Sequence, residues 1–245
     1  MKVFISAGHG GSDPGACGNG LKEKDCNLYI ALAFGSVLEA AGVQVRYSRT
    51  CDENDPVTSE VAEANAFRAD YAISFHNNAG GGIGSECWIW PGCVEAERIA
   101  KAFENVTIEA GGKSRGVKTT TSLYFIRNTY MTAVLSEIAF IDNKTDKCRI
   151  DTKAKCEDIG RKYGNAFLNV MVLDKLPEAP GRYPEVPFLF KSTGNTCIFR
   201  SPEADTFISQ ITDKRRYTII DVKGDYGFLK SGAGWIYLPD VEIVR

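Results

Sequence analysis

Two histidines occur in the 245 residues, and both stand where an apolar run meets glycines. His9 follows the run 3–5 within Ala7-Gly8-His9-Gly10-Gly11, which reads as a strand opening into a glycine-rich loop. His76 closes the run 71–75 and is followed by Asn77, Asn78 and a glycine cluster. Glu23 comes fourteen positions after His9, where an amphipathic helix begins. Two imidazoles and one carboxylate at such ends can form a His₂Glu set, the ligands of a catalytic zinc with one position left for water. Each histidine alone also fits an ordinary polar loop, and Glu23 fits an acid favoured by a helix dipole. Glu137 follows the apolar stretch Ala133-Val134-Leu135, where a carboxylate is costly unless paired or at work. There it suits a base that deprotonates water and later protonates a departing amine; its alternative is a salt-bridged structural acid.

The elements that must position these groups follow from periodicity. Residues 1–6, 43–47, 71–75, 85–90, 119–126 and 133–140 read as strands, and 25–41, 59–68, 94–110 and 152–173 as helices. Strands alternating with long helices predict an α/β domain, its mostly parallel sheet flanked by helices and its ligands at the carboxyl ends of the strands. Composition changes at Asp174. Residues 175–187 are rich in proline and read as a stiff linker. Five short β-branched and aromatic runs within 188–245, separated by turn signals, predict a small all-β barrel. Its aromatics Phe199, Tyr226, Phe228, Trp235 and Tyr237 read mostly as barrel core, since so small a domain has little else to bury, with a ligand groove as the alternative.

A net charge of −2 and a pI near 5.8 leave no basic groove for nucleic acid. No apolar run reaches the roughly 20 residues that span a bilayer, so membrane insertion is not expected. The N-terminal apolar run is too short for a secretory signal, so synthesis in the cytoplasm is expected, with any later export by another route. The eight cysteines include no CxxC pair and read mostly as small buried or half-exposed residues. Cys17 and Cys26 flank the candidate ligands but end no strand, which disfavours them as extra ligands.

In order along the chain, AGHGGSDPGACGNGLKEKDCNLYIA, SRTCDEN, EANAFRADYAISFHNNA and AVLSEIAFIDNKTD resemble the zinc-dependent N-acetylmuramoyl-L-alanine amidases of the Amidase_3 type, found in phage endolysins and bacterial autolysins. The resemblance covers about residues 1–173. It implies one zinc per chain on His9, Glu23 and His76, with Glu137 as the catalytic glutamate. The implied substrate is peptidoglycan, cut between N-acetylmuramic acid and L-alanine of the stem peptide. Asn78, Arg127 and Asn143 also match family positions and are candidates for substrate contact, with loop hydrogen bonding as the alternative. Asn77, Thr132 and Ala139 depart from the usual pattern, which predicts altered substrate contacts rather than lost chemistry. Residues 188–245 resemble bacterial SH3-like domains through Thr196–Pro202 and Gly234–Tyr237, which implies cell-wall binding. Together these features suit an endolysin that meets the wall after holin-type release, or an autolysin. The rival readings are a zinc peptidase cutting within the stem peptide and a non-catalytic wall-binding protein. Host, oligomeric state and the barrel's ligand stay open.

Overall fold

The computed structural model of the chain describes residues 1–175, 188–192, 196–201, 204–223, 226–231, 233–238 and 241–244. They fall into two compact units, Met1–Asp174 and Lys175–Arg245.

The first unit is built on a six-stranded sheet. Its strands are β1 (Lys2–Ala7), β4 (Gln44–Tyr47), β5 (Tyr71–Asn78), β6 (Ser85–Ile89), β7 (Ser114–Thr119) and β8 (Thr132–Phe140), in the order β4-β1-β5-β8-β6-β7. All neighbours run parallel except β6 and β8. Val3 to Ala7 are buried without a break, as a parallel strand covered on both faces requires. On one face, Ile30 and Phe34 of α1 (Glu23–Ala40), Phe103 of α3 (Val94–Glu109), and Tyr163 and Phe167 of α6 (Lys153–Lys175) close over Phe75. The other face packs Phe4, Ala72 and Leu135 against Val61 and Ala64 of α2 (Val57–Phe67), and against Phe125 and Ile126 of α4 (Tyr124–Asn128). A four-residue helix, α5 (Lys144–Lys147), follows β8 and is capped by the Asn143 side chain.

Helices α1 and α6 lie backbone against backbone. A Cβ on Gly160 would come 2.4 Å from the Ile30 carbonyl, and one on Gly164 would meet Val37 Cβ at 2.8 Å and the Phe34 carbonyl at 3.1 Å. Only glycine allows that approach. Gly160→Ala is therefore expected to destabilise the domain by about 1–3 kcal/mol through overpacking, despite alanine's higher helix propensity. Urea unfolding reads the change, and an unchanged midpoint would mean that the two helices part at little cost.

The 119–126 run is not a strand. The strand is 114–119, an edge strand paired only to β6, and 124–128 form a helical turn. The Thr120 hydroxyl accepts from the Ser122 and Leu123 amides and turns the chain, and burial of Phe125 and Ile126 under α2 overrides their β propensity. A hairpin absent from the sequence reading, β2 (Cys17–Gly18) and β3 (Leu21–Lys22), stands inside the first glycine loop.

Among the described residues of the second unit seven strands form one antiparallel sheet: β9 (Phe188–Lys191), β10 (Thr196–Ser201), β11 (Ala204–Ile211), β12 (Arg216–Lys223), β13 (Tyr226–Leu229), β14 (Trp235–Tyr237) and β15 (Glu242–Val244). Strands β11 and β15 add to the five expected. Among the described residues the buried cluster holds Phe190 with Ile198, Ile211, Ile219, Leu229, Ile236 and Leu238. Trp235 packs against Phe228, ring centres 5.0 Å apart. The proline-rich stretch 176–187, Pro202, and the side chains of Phe199 and Tyr237 lie outside the described residues.

Candidate active site

The two histidine-bearing strands are neighbours. β1 pairs with β5 in parallel, Ala7 opposite Phe75, so the loop after β1 and the last residues of β5 leave the sheet at the same edge. His9 takes a left-handed backbone, φ 67°, a strained conformation for a non-glycine residue and one that clusters at functional sites. Glu23, 4% exposed, is the first residue of α1, and its carboxylate stands between the imidazoles: Oε2 lies 3.3 Å from His9 Nε2 and Oε1 lies 3.0 Å from His76 Nδ1. One donor atom from each residue falls within 4.8 Å of the other two, and this is the one such three-residue group among the described residues.

Neighbouring groups fix this cluster. The Ala16 and Asn77 amides donate to the two Glu23 oxygens at 2.7 and 2.9 Å, and Asn27 Nδ2 adds a third bond. Asp13 Oδ2 lies 2.8 Å from His9 Nδ1, an arrangement that sets a ligand histidine's tautomer and ring direction. Buried Arg49 donates to the carbonyls of Ala7, Lys24 and Cys51, tying the end of β1 to the start of α1. Two glycines make room: a Cβ on Gly8 would overlap the His76 ring, and one on Gly15 would come 2.6 Å from Glu23 Oε2 and from His9 Cδ2. Two nitrogens and a carboxylate converging in a cradle that side chains would fill suit a divalent ion of zinc's preferences.

The charges respond to this crowding. Burial pushes the Glu23 carboxyl up, but hydrogen bonds from His76 and His9 outweigh it and hold the group well below the ordinary carboxylate range. His9 is raised to about 9, chiefly by its bond to Glu23. For His76 desolvation works downward, yet Glu23 and the charge of Glu137 raise it on balance.

Glu137 enters through β-sheet register. It is paired with His76 on β5 and with Glu86 on β6, so the three side chains share one face in a row. Its Oε2 is buried with no hydrogen-bond partner. Burial raises the carboxyl to about 7; His76 opposes the rise, and the negative charges of Glu23 and Glu86 add to it. A buried carboxyl that neither caps nor pairs is at the disposal of a reactant.

Residues 3–169 match the family described as N-acetylmuramoyl-L-alanine amidase. The chain belongs to this family. Among its relatives is the N-acetylmuramoyl-L-alanine amidase CwlM of Bacillus licheniformis, 37% identical over 179 residues, with 71% of this chain and 70% of that protein covered. An endolysin of Bacillus phage SPP1 is 33% identical over 183 residues, covering 71% of this chain and 67% of the phage protein. The amidase AmiC2 of Nostoc punctiforme superposes with a TM-score of 0.65 at 25% identity, covering 70% of this chain and 97% of that one.

The other residues that matched amidase positions are dispersed. Asn78, at the end of β5, reaches Glu86 at 3.5 Å and bonds the Ala79 amide. Asn143 caps α5 and donates to the Gly82 carbonyl, so its amide joins the glycine loop to the segment after β8. Arg127 lies on α4 beside Tyr124, lining a cavity of about 300 Å³ with Trp90, Met131 and Thr132. Thr132 begins β8 five residues before Glu137, about 16 Å along a strand, so this cavity is at the far end of the strand from the histidines. Sequence reasoning missed Asp13, Asn27, Arg49 and Glu86. Glu86, 4% exposed, is held by Arg115 and Lys118, which outweigh its burial and lower its pKa.

Below the site, Glu60 of α2 is buried, accepts from Ser6 Oγ at 2.9 Å and is raised to about 7, by desolvation first and the charge of Asp55 second. The fold thus favours its neutral form. That contribution is whole below the ordinary value near 4.5 and is lost as pH climbs through about 7. Between pH 4.5 and 8 wild type is expected to lose roughly 2–3 kcal/mol relative to Glu60→Gln, read by urea unfolding at several pH values. A pH-independent difference between the two would show that Glu60 is ionised in the fold.

Proposed function

We propose that this chain is a zinc-dependent peptidoglycan amidase that hydrolyses the bond between the lactyl carbonyl of N-acetylmuramic acid and the L-alanine nitrogen of the stem peptide. The observation that carries the reading is the row His76–Glu137, with a buried and unpartnered carboxylate oxygen beside a His/Glu/His donor set. His9, Glu23 and His76 would hold the ion. Zinc in such a set supplies a Lewis acid that polarises a carbonyl and acidifies water.

The chain's own groups do the rest. Asp13 holds the His9 ring through Nδ1, while the Ala16 and Asn77 amides keep Glu23 from rotating. Glu137 Oε2 accepts the proton of the attacking water and returns it to the departing L-alanine nitrogen. A carboxyl raised to about 7 can serve both strokes near neutrality. Glu86, clamped by two cations, stays ionised next to it and discourages Glu137 from ionising early. Residues 188–245 are read as an SH3-like wall-binding module, which would raise the enzyme's effective concentration on polymer.

Mass analysis of soluble products from purified peptidoglycan tests the bond. Intact stem peptides with new L-alanine amino termini are expected. Shortened peptides would replace this reading with a peptidase, and no release at all would leave a wall-binding protein.

A further inference from the structure

The α1/α6 seam continues past its glycines to a pair of thiols. Gly160 meets Ile30 and Gly164 meets Phe34, each α6 residue 130 positions after its α1 neighbour. One turn nearer the helix starts, the same spacing joins Cys156 to Cys26, each the fourth residue of its helix. Both are buried, at 1% and 4% exposure. Both thiols point at one acceptor, the Ile150 carbonyl, with Sγ···O distances of 3.2 Å for Cys156 and 3.8 Å for Cys26, so the two sulfurs converge on a single oxygen. A disulfide needs Cβ atoms about 3.5–4.5 Å apart, a spacing favoured where two backbones approach so closely. Access exists as well. The two cysteines line a cavity of about 170 Å³ whose rim includes the exposed Gly20, Lys22, Thr152 and Lys153. Cys87, by contrast, is buried against Ser136.

We propose that Cys26 and Cys156 form an oxidisable dithiol site that closes, by exchange with a low-molecular-weight disulfide, into an intrachain disulfide stapling α1 to α6. The Cys26 thiolate, the more exposed, attacks one sulfur of the small disulfide and expels one thiolate, which takes up the proton Cys26 gave up. The Cys156 thiolate then attacks the Cys26 sulfur of the mixed disulfide and expels the second small thiol. One small disulfide is reduced to two thiols, and two protein thiols become one disulfide. The staple closes a loop of well over a hundred residues, the case in which a cross-link most restricts the unfolded chain. It also anchors the first turn of α1, which carries Glu23. A hydrolase made in a reducing cytosol and acting on wall polymer outside it would cross the change that closes this pair. That setting rests on the proposed function; the thiol chemistry does not.

The full chain, reduced and then incubated with oxidised glutathione, is quenched by alkylation, digested and mapped by mass spectrometry. A peptide linking Cys26 to Cys156 is expected, with Cys87 recovered alkylated. The apparent Tm should rise by roughly 5–10 °C, fall back with dithiothreitol and fail to respond in a Cys26→Ser/Cys156→Ser variant that keeps the reduced protein's hydrolytic rate. Recovery of Cys26 and Cys156 as separate alkylated thiols or as glutathione adducts would overturn the proposal. So would a linked peptide with an unchanged or lowered Tm. Wall hydrolysis by the reduced protein, measured alongside, reports on the amidase reading independently.

Discussion

Glutamine at position 137 is expected to lower turnover by about 10²–10⁴-fold while leaving fold and metal content intact. The substitution keeps the shape of the side chain and removes only its ability to carry a proton. Glu137 Oε2 holds up nothing in the scaffold, being buried without a partner, so no hydrogen-bond network collapses with the change. Neither is Glu137 one of the three residues whose donors converge. Stability should hold steady or rise, because the wild-type fold already strains against ionising this group, raised to about 7 by burial. The variant, compared with wild type for wall lysis, zinc content and urea midpoint, separates three cases. Lost lysis with full zinc and an unchanged midpoint assigns the proton transfer to Glu137. Lost zinc would make Glu137 a structural support of the ligand set. Wild-type turnover would remove it from the mechanism.

What the sequence disclosed, and what it withheld, divides along a physical line. His9 and His76 were legible because glycine runs after apolar strands force the chain into loops at a sheet edge, and parallel pairing of β1 and β5 then makes the two edges one. Glu137 was legible because an acid inside an apolar strand is an energetic contradiction that needs a use. Asp13 and Arg49 gave no such contradiction, and Glu86, though inside the run 85–90, stands at its polar start beside Ser85, where an acid is unremarkable. An acid four residues beyond a histidine in a glycine loop looks like a solvated surface group, and Asp13 stays exposed even while it bonds the His9 ring. An arginine after a strand looks the same until tertiary folding buries it, and Arg49 is 2% exposed with its guanidinium on four separate carbonyls. Strand 114–119 was hidden for a different reason. An edge strand bonded on one side carries Arg115, Gly116 and Lys118, and so lacks the apolar alternation that marks a strand. The β2–β3 hairpin did have a local signature: Asn19-Gly20, with φ of 51° and 81°, is the dipeptide that a tight hairpin turn demands. Within a loop so rich in glycine, the signal was lost among its neighbours.

Adding a single methyl at Gly8 is expected to cost at least about 100-fold in activity, as much as His76→Ala, although Gly8 carries no chemistry. A Cβ there would sit 2.2 Å from His76 Cε1, 2.4 Å from Nε2 and 2.8 Å from Nδ1, inside van der Waals contact with three ring atoms. The backbone cannot retreat. The Gly8 amide donates to the Phe75 carbonyl at 3.2 Å, and its carbonyl accepts from Asn27 Nδ2 at 2.9 Å and from the Arg49 guanidinium. The imidazole must therefore swing out, and its 3.0 Å contact with Glu23 Oε1 is the first to break. Global stability should change far less, since the ring is partly exposed and leads no hydrophobic cluster. Zinc per chain, wall lysis and the urea midpoint of Gly8→Ala are measured beside His76→Ala. Matched losses of zinc and lysis at near-native stability would establish that the ring's place above Gly8 makes the metal site. Full zinc and full lysis in Gly8→Ala would mean that His76 binds from elsewhere, or does not bind at all.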